Sequence, residues 1–167
     1  MNADRKFRMN VVQRMMICAL GTSQGSTCQR RAVGCVLTLK GHVVATGYNG
    51  SVPNEPHCLD SGCYIVNGHC IRTTHAETNA CLRVGVLGAD TAYCTDKPCI
   101  SCTKALLSQG VSRIYYWRNY HDPERDQYEA SLRNPKLIVN VSYQVSELLG
   151  RLEQQMEMDT RGITDAI

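Results

Sequence analysis

The chain has 167 residues, 43% of them hydrophobic and 20% charged, with a net charge of +3. That size and balance predict one globular domain over residues 1–167, large enough to bury a core without staples. So small a charge gives little support to a nucleic-acid surface, and the longest apolar runs are too short to cross a membrane. "MNADRKFRMN" lacks the apolar stretch of a signal peptide, so a cytoplasmic protein is expected.

Residues 4 to about 22 read as an amphipathic helix with Val11, Met15, Cys18 and Leu20 roughly on one side. "AVGCVLTL" and "HVVATGYN" are partly β-branched strands joined at Lys40-Gly41 as a hairpin. Residues 49–73 form a long loop, and a long loop in a compact domain is functional or held by something. A helix over about 75–86 precedes strand "TAYCT", and a helix over about 99–109 ends at Gly110. Strand "RIYYW", a helix over about 122–133 opened by Asp122-Pro123, and strand "KLIVNVS" follow. A last helix covers about 143–158, in an extension beyond about residue 145. Its Leu148, Leu149, Leu152 and Met156 share one face, which can pack on the core or on a neighbouring subunit. Alternating strands and helices imply right-handed crossovers and a parallel portion, while the opening hairpin makes the sheet mixed. The predicted fold is α/β: three layers, α/β/α, around a five-stranded mixed sheet with its last strands parallel.

Ten cysteines are many for this length. In a chain without export signals, clustered cysteines point to metal rather than disulfides. Cys58, Cys63 and Cys70 fall with His57 and His69, and Cys99 and Cys102 form a CxxC. Cys18, Cys35, Cys81 and Cys94 lie in apolar stretches and are expected to be small core residues.

"PCISC" puts Cys99 and Cys102 on one face of a helix start, where the helix end favours thiolates. In "HAE", His75 and Glu77 are two apart and converge only on something beyond the first turn of a helix. Glu77 also fits a capping box with Thr74, and His75 alone is an unremarkable first-turn histidine. Taken together, one His and two Cys leave a fourth position open on a tetrahedral zinc, as in a catalytic site. A carboxylate beside that position is the proton acceptor a bound water needs. H-x-E…P-C-x-x-C is the signature of zinc nucleobase deaminases.

The chain resembles the deoxycytidylate (dCMP) deaminase family of the cytidine-deaminase-like superfamily. The likeness covers roughly residues 5–145, in "TCQRRAVGCV", "ATGYNGSVP", "CIRTTHAETNA", "TDKPCISCTKALLSQGV" and "IYYWRNY". It implies a hydrolase of pyrimidine metabolism that converts dCMP to dUMP and ammonia. His75, Cys99 and Cys102 would bind zinc, a zinc-bound hydroxide would attack C4, and Glu77 would pass the water's proton to N3 and help the amino group leave as ammonia. Asn49, Ser51 and Tyr120 would contact the nucleotide, with Arg30, Arg31, Arg72 and Lys97 as unranked sources of phosphate charge. It further implies a homo-oligomer, favouring a hexamer, with dCTP as activator, dTTP as inhibitor and Mg2+ accompanying the effector. The insertion before "HAE" is short and cysteine-rich, where relatives can use histidines. The resemblance brings Cys28 to this loop, so Cys28, Cys58, Cys63 and Cys70 are expected to hold a second, structural zinc, with His57 or His69 able to replace one. The alternatives are a superfamily deaminase of dCTP, a 5-substituted dCMP, tRNA adenosine, a free base, a nucleoside or a riboflavin precursor, and a non-enzymatic zinc module, which would have no use for Glu77.

Overall fold

The computed structural model describes residues 8–132 and 137–164, with side chains as far as residue 157. Helix α1, Val11–Ser23, opens on a capping box: Asn10 Oδ1 accepts the Gln13 N–H at 2.9 Å, and Gln13 Oε1 accepts the Asn10 N–H at 3.0 Å. That start is later than the sequence pattern implied, and residues 4–7 of the predicted helix lie outside the described residues. The inward face is also rotated from the expected one. Met16 and Ala19 are buried, whereas Val11 and Cys18 are exposed, so Cys18 is not a core residue. Val12, Met15, Met16 and Ala19 form this stripe, and it meets the sheet through Val36 and Tyr93.

Strands β1, Gly34–Leu39, and β2, His42–Tyr48, form the predicted antiparallel hairpin. Lys40 and Gly41 both take positive φ, 51° and 81°, as a two-residue turn matched to strand twist requires. The long segment that follows is built from short pieces. β3, Gly50–Ser51, pairs with β6, Thr73–Thr74, and β4, Ile65–Val66, pairs with β5, His69–Cys70, with the one-turn helix α2, Cys58–Ser61, ahead of them. Then come α3, Ala76–Val84; β7, Thr91–Asp96; α4, Ile100–Ser108; β8, Arg113–Arg118; α5, Pro123–Ser131; β9, Ile138–Asn140; and α6, Ser142–Thr164.

The main sheet runs β2-β1-β7-β8-β9, with β7, β8 and β9 parallel and the rest antiparallel, as predicted. Its central strands bury both faces. Cys35, Leu37 and Cys94 face α3 and α4, with Leu106 and Ile114. Val36 and Tyr93 face α1 and α6, with Met16 and Val145. Cys35, Cys81 and Cys94 are buried, as expected of core thiols. On α6 the near half packs down through Val145, Leu148 and Leu149, while Met156 is 68% exposed. Helix α3 lies tight against β2: a Cβ added at Gly47 would stand 2.2 Å from the Ala76 carbonyl oxygen.

Candidate active site

The starts of α3 and α4 meet beyond the carboxyl end of β7, where open α/β sheets place ligands. His75 is the N-cap residue of α3 and Cys99 that of α4. Both have extended backbones, and neither side chain makes a capping bond. The side chains turn to each other instead. His75 Nδ1 is 3.6 Å from Cys99 Sγ and 3.4 Å from Cys102 Sγ, and the three donor atoms lie within 4.8 Å of one another. One imidazole and two thiols are a donor set that fits zinc and leaves it a fourth position. The Cys99 thiol is held down to about 4 by the Cys102 S–H bond, with His75 helping against burial, while Cys102 is pushed up by Cys99 and by burial.

Glu77 is the second residue of α3 and only 4% exposed. The alternative capping box with Thr74 is not formed, because the helix is capped at His75, one residue later. The carboxyl therefore faces the site rather than the helix end. Burial raises its pKa, opposed by its own N–H and by His75.

A cavity of about 240 Å³ opens on this cluster, lined in part by Arg30, Asn49, His75, Glu77, Cys99 and Tyr120. Asn49 is buried and committed to the backbone: its Oδ1 accepts the Val33 N–H and its Nδ2 donates to Arg31 O, each at 2.8 Å. It fixes the rim rather than offering free polar atoms. Tyr120 stands at the mouth, its hydroxyl 3.4 Å from His69 Nδ1 and the Arg31 guanidinium 5.4 Å above its ring. Ser51 is outside the lining, and its hydroxyl donates to Pro56 O at 2.8 Å.

The four basic residues separate. Arg72 is outside this cavity. Lys97 is engaged by Glu129 at 2.8 Å and Asp126 at 3.1 Å, and Arg31 by Asp96 at 2.6 Å. Arg30 lines the cavity and gives a hydrogen bond to Gly68 O at 3.1 Å, with no carboxylate partner among the described residues.

A second cluster lies where the long loop meets the connection between α1 and β1. Cys28, Cys58 and Cys63 have sulfurs within 4.8 Å of one another, and Cys70 Sγ is 3.6 Å from Cys58 Sγ. Burial and its thiol neighbours push Cys58 up to about 12. Against the opposing effect of burial, the N–H groups of Arg72, Tyr64 and Thr73 and the Cys58 thiol bring Cys70 down to about 7. The histidines are elsewhere: His57 Nδ1 is 3.8 Å from Asp60, and His69 faces Tyr120.

Residues 9–118 match the cytidine and deoxycytidylate deaminase zinc-binding region. The chain belongs to this family. ComE operon protein 2 of Bacillus subtilis is 40% identical over 99 residues, 57% of this chain and 52% of that protein. The deoxycytidylate deaminase of Saccharomyces cerevisiae is 34% identical over 119 residues, 66% of this chain and 38% of that protein. This chain thus spans about half or less of these two relatives. The deoxycytidylate deaminase of Mycobacterium phage D29 is 32% identical over 112 residues, 59% of this chain and 87% of that protein. Among solved structures, the dCMP deaminase of cyanophage S-TIM5, in complex with dCMP and dUMP, is similar with a TM-score of 0.65 at 24% identity. It covers 81% of this chain and 99% of that one, which shows the cytidine-deaminase-like fold.

In this family member, sequence reasoning passed over Asp96. It is 4% exposed, lines the cavity, and binds Arg31 at 2.6 Å and Arg118 at 2.7 Å. A carboxylate at the end of a buried strand must find cations or donors, and that was the available signal. Through Arg31 it supports the cation stacked on Tyr120.

Proposed function

We propose that this chain hydrolyses dCMP to dUMP and ammonia, with His75, Cys99 and Cys102 as zinc ligands and Glu77 as the proton carrier. The observation that carries the reading is that the buried Glu77 lines the same cavity as His75 and Cys99 of the His75–Cys99–Cys102 cluster. Support comes from the deoxycytidylate deaminases among the relatives and from the nucleotides bound to the cyanophage enzyme. Zinc, when bound, lowers the pKa of water and so supplies a nucleophile at neutral pH. Glu77 would take one proton from the attacking water and pass it to N3 of cytosine, then take the second from the hydroxyl added at C4 and pass it to the amino group, which leaves as ammonia. Its burial favours the protonated carboxyl that the second half of this transfer needs. Tyr120 and the rim fixed by Asn49 bound the base, and Arg30, with no carboxylate partner among the described residues, receives the 5′-phosphate.

The same reading extends to coarser features. Three thiols on the long loop and Cys28 from the connection between α1 and β1 suit a closed structural zinc at Cys28, Cys58, Cys63 and Cys70. Family likeness supports a cytoplasmic homo-oligomer, a hexamer, regulated by dCTP and dTTP with Mg2+. Among the described residues no helix is long and apolar enough to cross a membrane. Ammonia release from dCMP, deoxycytidine and a tRNA anticodon stem, compared under one condition, tests the substrate. Preference for dCMP is expected; preference for either other substrate overturns the assignment.

A further inference from the structure

Helix α4 begins at a residue that does not cap it. Cys99 occupies the N-cap, but its sulfur lies 3.6 Å from His75 and makes no capping bond. The first N–H groups of a helix still need acceptors. Asp122 provides one from another element: its Oδ2 accepts the Ile100 N–H at 3.1 Å. Its Oδ1 accepts the Arg125 N–H at 3.0 Å and so caps α5. One carboxylate therefore serves two positive helix ends. Burial opposes its ionised form, but these two N–H bonds prevail and keep the carboxyl below its ordinary range.

The same helix reaches the turn at two more points. Arg125 is 2% exposed and donates from Nη1 to the Pro98 carbonyl at 3.3 Å. Its own charge is met by Asp126 at 2.8 Å and Glu129 at 3.5 Å. Those two acids also hold Lys97, at 3.1 Å and 2.8 Å. Lys97, Pro98 and Ile100 flank Cys99 on both sides, and each is bound to α5 or its cap. A buried arginine is costly unless it is paired, and here it is spent on the backbone just ahead of a metal-ligand position.

We propose that Asp122 and Arg125 are positioning residues: α5, which supplies no ligand, clamps the turn so that Cys99 faces the metal. This rests on the zinc reading of His75, Cys99 and Cys102. Groups that orient ligands from outside typically set metal affinity by about 10–100-fold. Asp122→Ala should therefore weaken zinc retention at this site by about tenfold or more. Asp122→Asn keeps the shape and one acceptor oxygen, so its loss should be smaller. Arg125→Met should resemble Asp122→Ala.

The test is zinc per chain in the full-length protein during titration with a chelator, with His75→Ala identifying the zinc that belongs to this site. Unfolding temperatures of zinc-free and zinc-loaded protein are measured alongside. Earlier release from the Asp122 variants, in the order alanine before asparagine, supports the clamp. If both release this zinc at the wild-type chelator concentration, or merely lower both unfolding temperatures equally, the clamp is overturned and the metal reading survives. If wild type holds no zinc that His75→Ala lacks, the metal reading falls and the clamp with it.

Discussion

Replacing Gly47 by alanine would drive a methyl group into the helix that carries His75 and Glu77. The added Cβ would lie 2.2 Å from Ala76 O and 2.5 Å from Ala80 N, both backbone atoms that no rotamer change can move. To restore even a 3.0 Å contact, α3 must leave β2 by at least about 0.8 Å. Overpacking of this kind costs about 1–3 kcal/mol, and a backbone clash belongs at the upper end. For a chain of this size that lowers the unfolding temperature by about 6–12 °C. Ala76 follows His75 directly, so the displacement reaches the site as well. A misplacement near 1 Å can cost about a hundredfold in rate. Thermal unfolding and steady-state deamination of dCMP by Gly47→Ala read both effects. Gly21, inside α1, is the contrast: a Cβ there meets nothing within 4 Å. Alanine at that position should stabilise by about 0.5–1 kcal/mol. If Gly47→Ala unfolds within about 2 °C of wild type and keeps its turnover, the packing argument is refuted.

Other expectations follow from the site. Glu77→Gln should keep its zinc but lose turnover by about 10²–10⁴-fold, and near-normal turnover would sink the proton-carrier role. Arg30→Ala should raise KM for dCMP while leaving deoxycytidine turnover little changed; an equal effect on both substrates would remove it from the phosphate. Metal analysis should find about two zinc ions per chain, falling to about one in Cys58→Ser with Cys63→Ser, and a fully active wild type with one would end the structural-zinc reading. Asp126 is held below the usual carboxylate range by Arg125 and then Lys97, with Glu129 facing the same cations. A depressed carboxylate gives stability that is full above its unfolded pKa, about 3.9, and is lost as pH falls through the folded value. The urea-unfolding difference between wild type and Asp126→Asn, about 1 kcal/mol or less for so exposed a group, should thus be flat near pH 6 and shrink below about pH 4; growth on acidification would contradict it.

The features legible in the sequence are those with a local cause. Lys40-Gly41 gave the hairpin because two successive positive-φ residues are needed there. Asp122-Pro123 gave the start of α5 because proline needs no N–H donor in a first turn. The face of α1 was misjudged at Val11 and Cys18, which are apolar, because burial depends on which stripe the sheet meets, and that stripe takes in Met15. Arg125 could not be read at all: "PERDQYEAS" looks like a solvated helix, and its carbonyl partner Pro98 is 27 residues away. The ranking of Arg30, Arg31, Arg72 and Lys97 was equally hidden, since it depends on the acids that lie beside Arg31 and Lys97 in space and on Arg72 lying outside the cavity.

The departures from ordinary local rules gather at one place. Apart from the one-turn α2, the helices that begin without a side-chain cap from their own N-cap residue include α3 and α4, and a glutamate is buried in the first turn of one of these two. Each departure alone is unfavourable for the fold. They make sense together, because a histidine or cysteine at an N-cap projects off the helix end toward whatever lies beyond it. Two such ends facing one point add their partial positive charges there, which favours thiolates and any anionic nucleophile. The same geometry explains why "HAE" needs a spacing that a regular helix surface would not bring together. His75 still belongs to the extended backbone before α3, while Glu77 is already inside the helix, so the two side chains approach the cavity from the turn and from its floor.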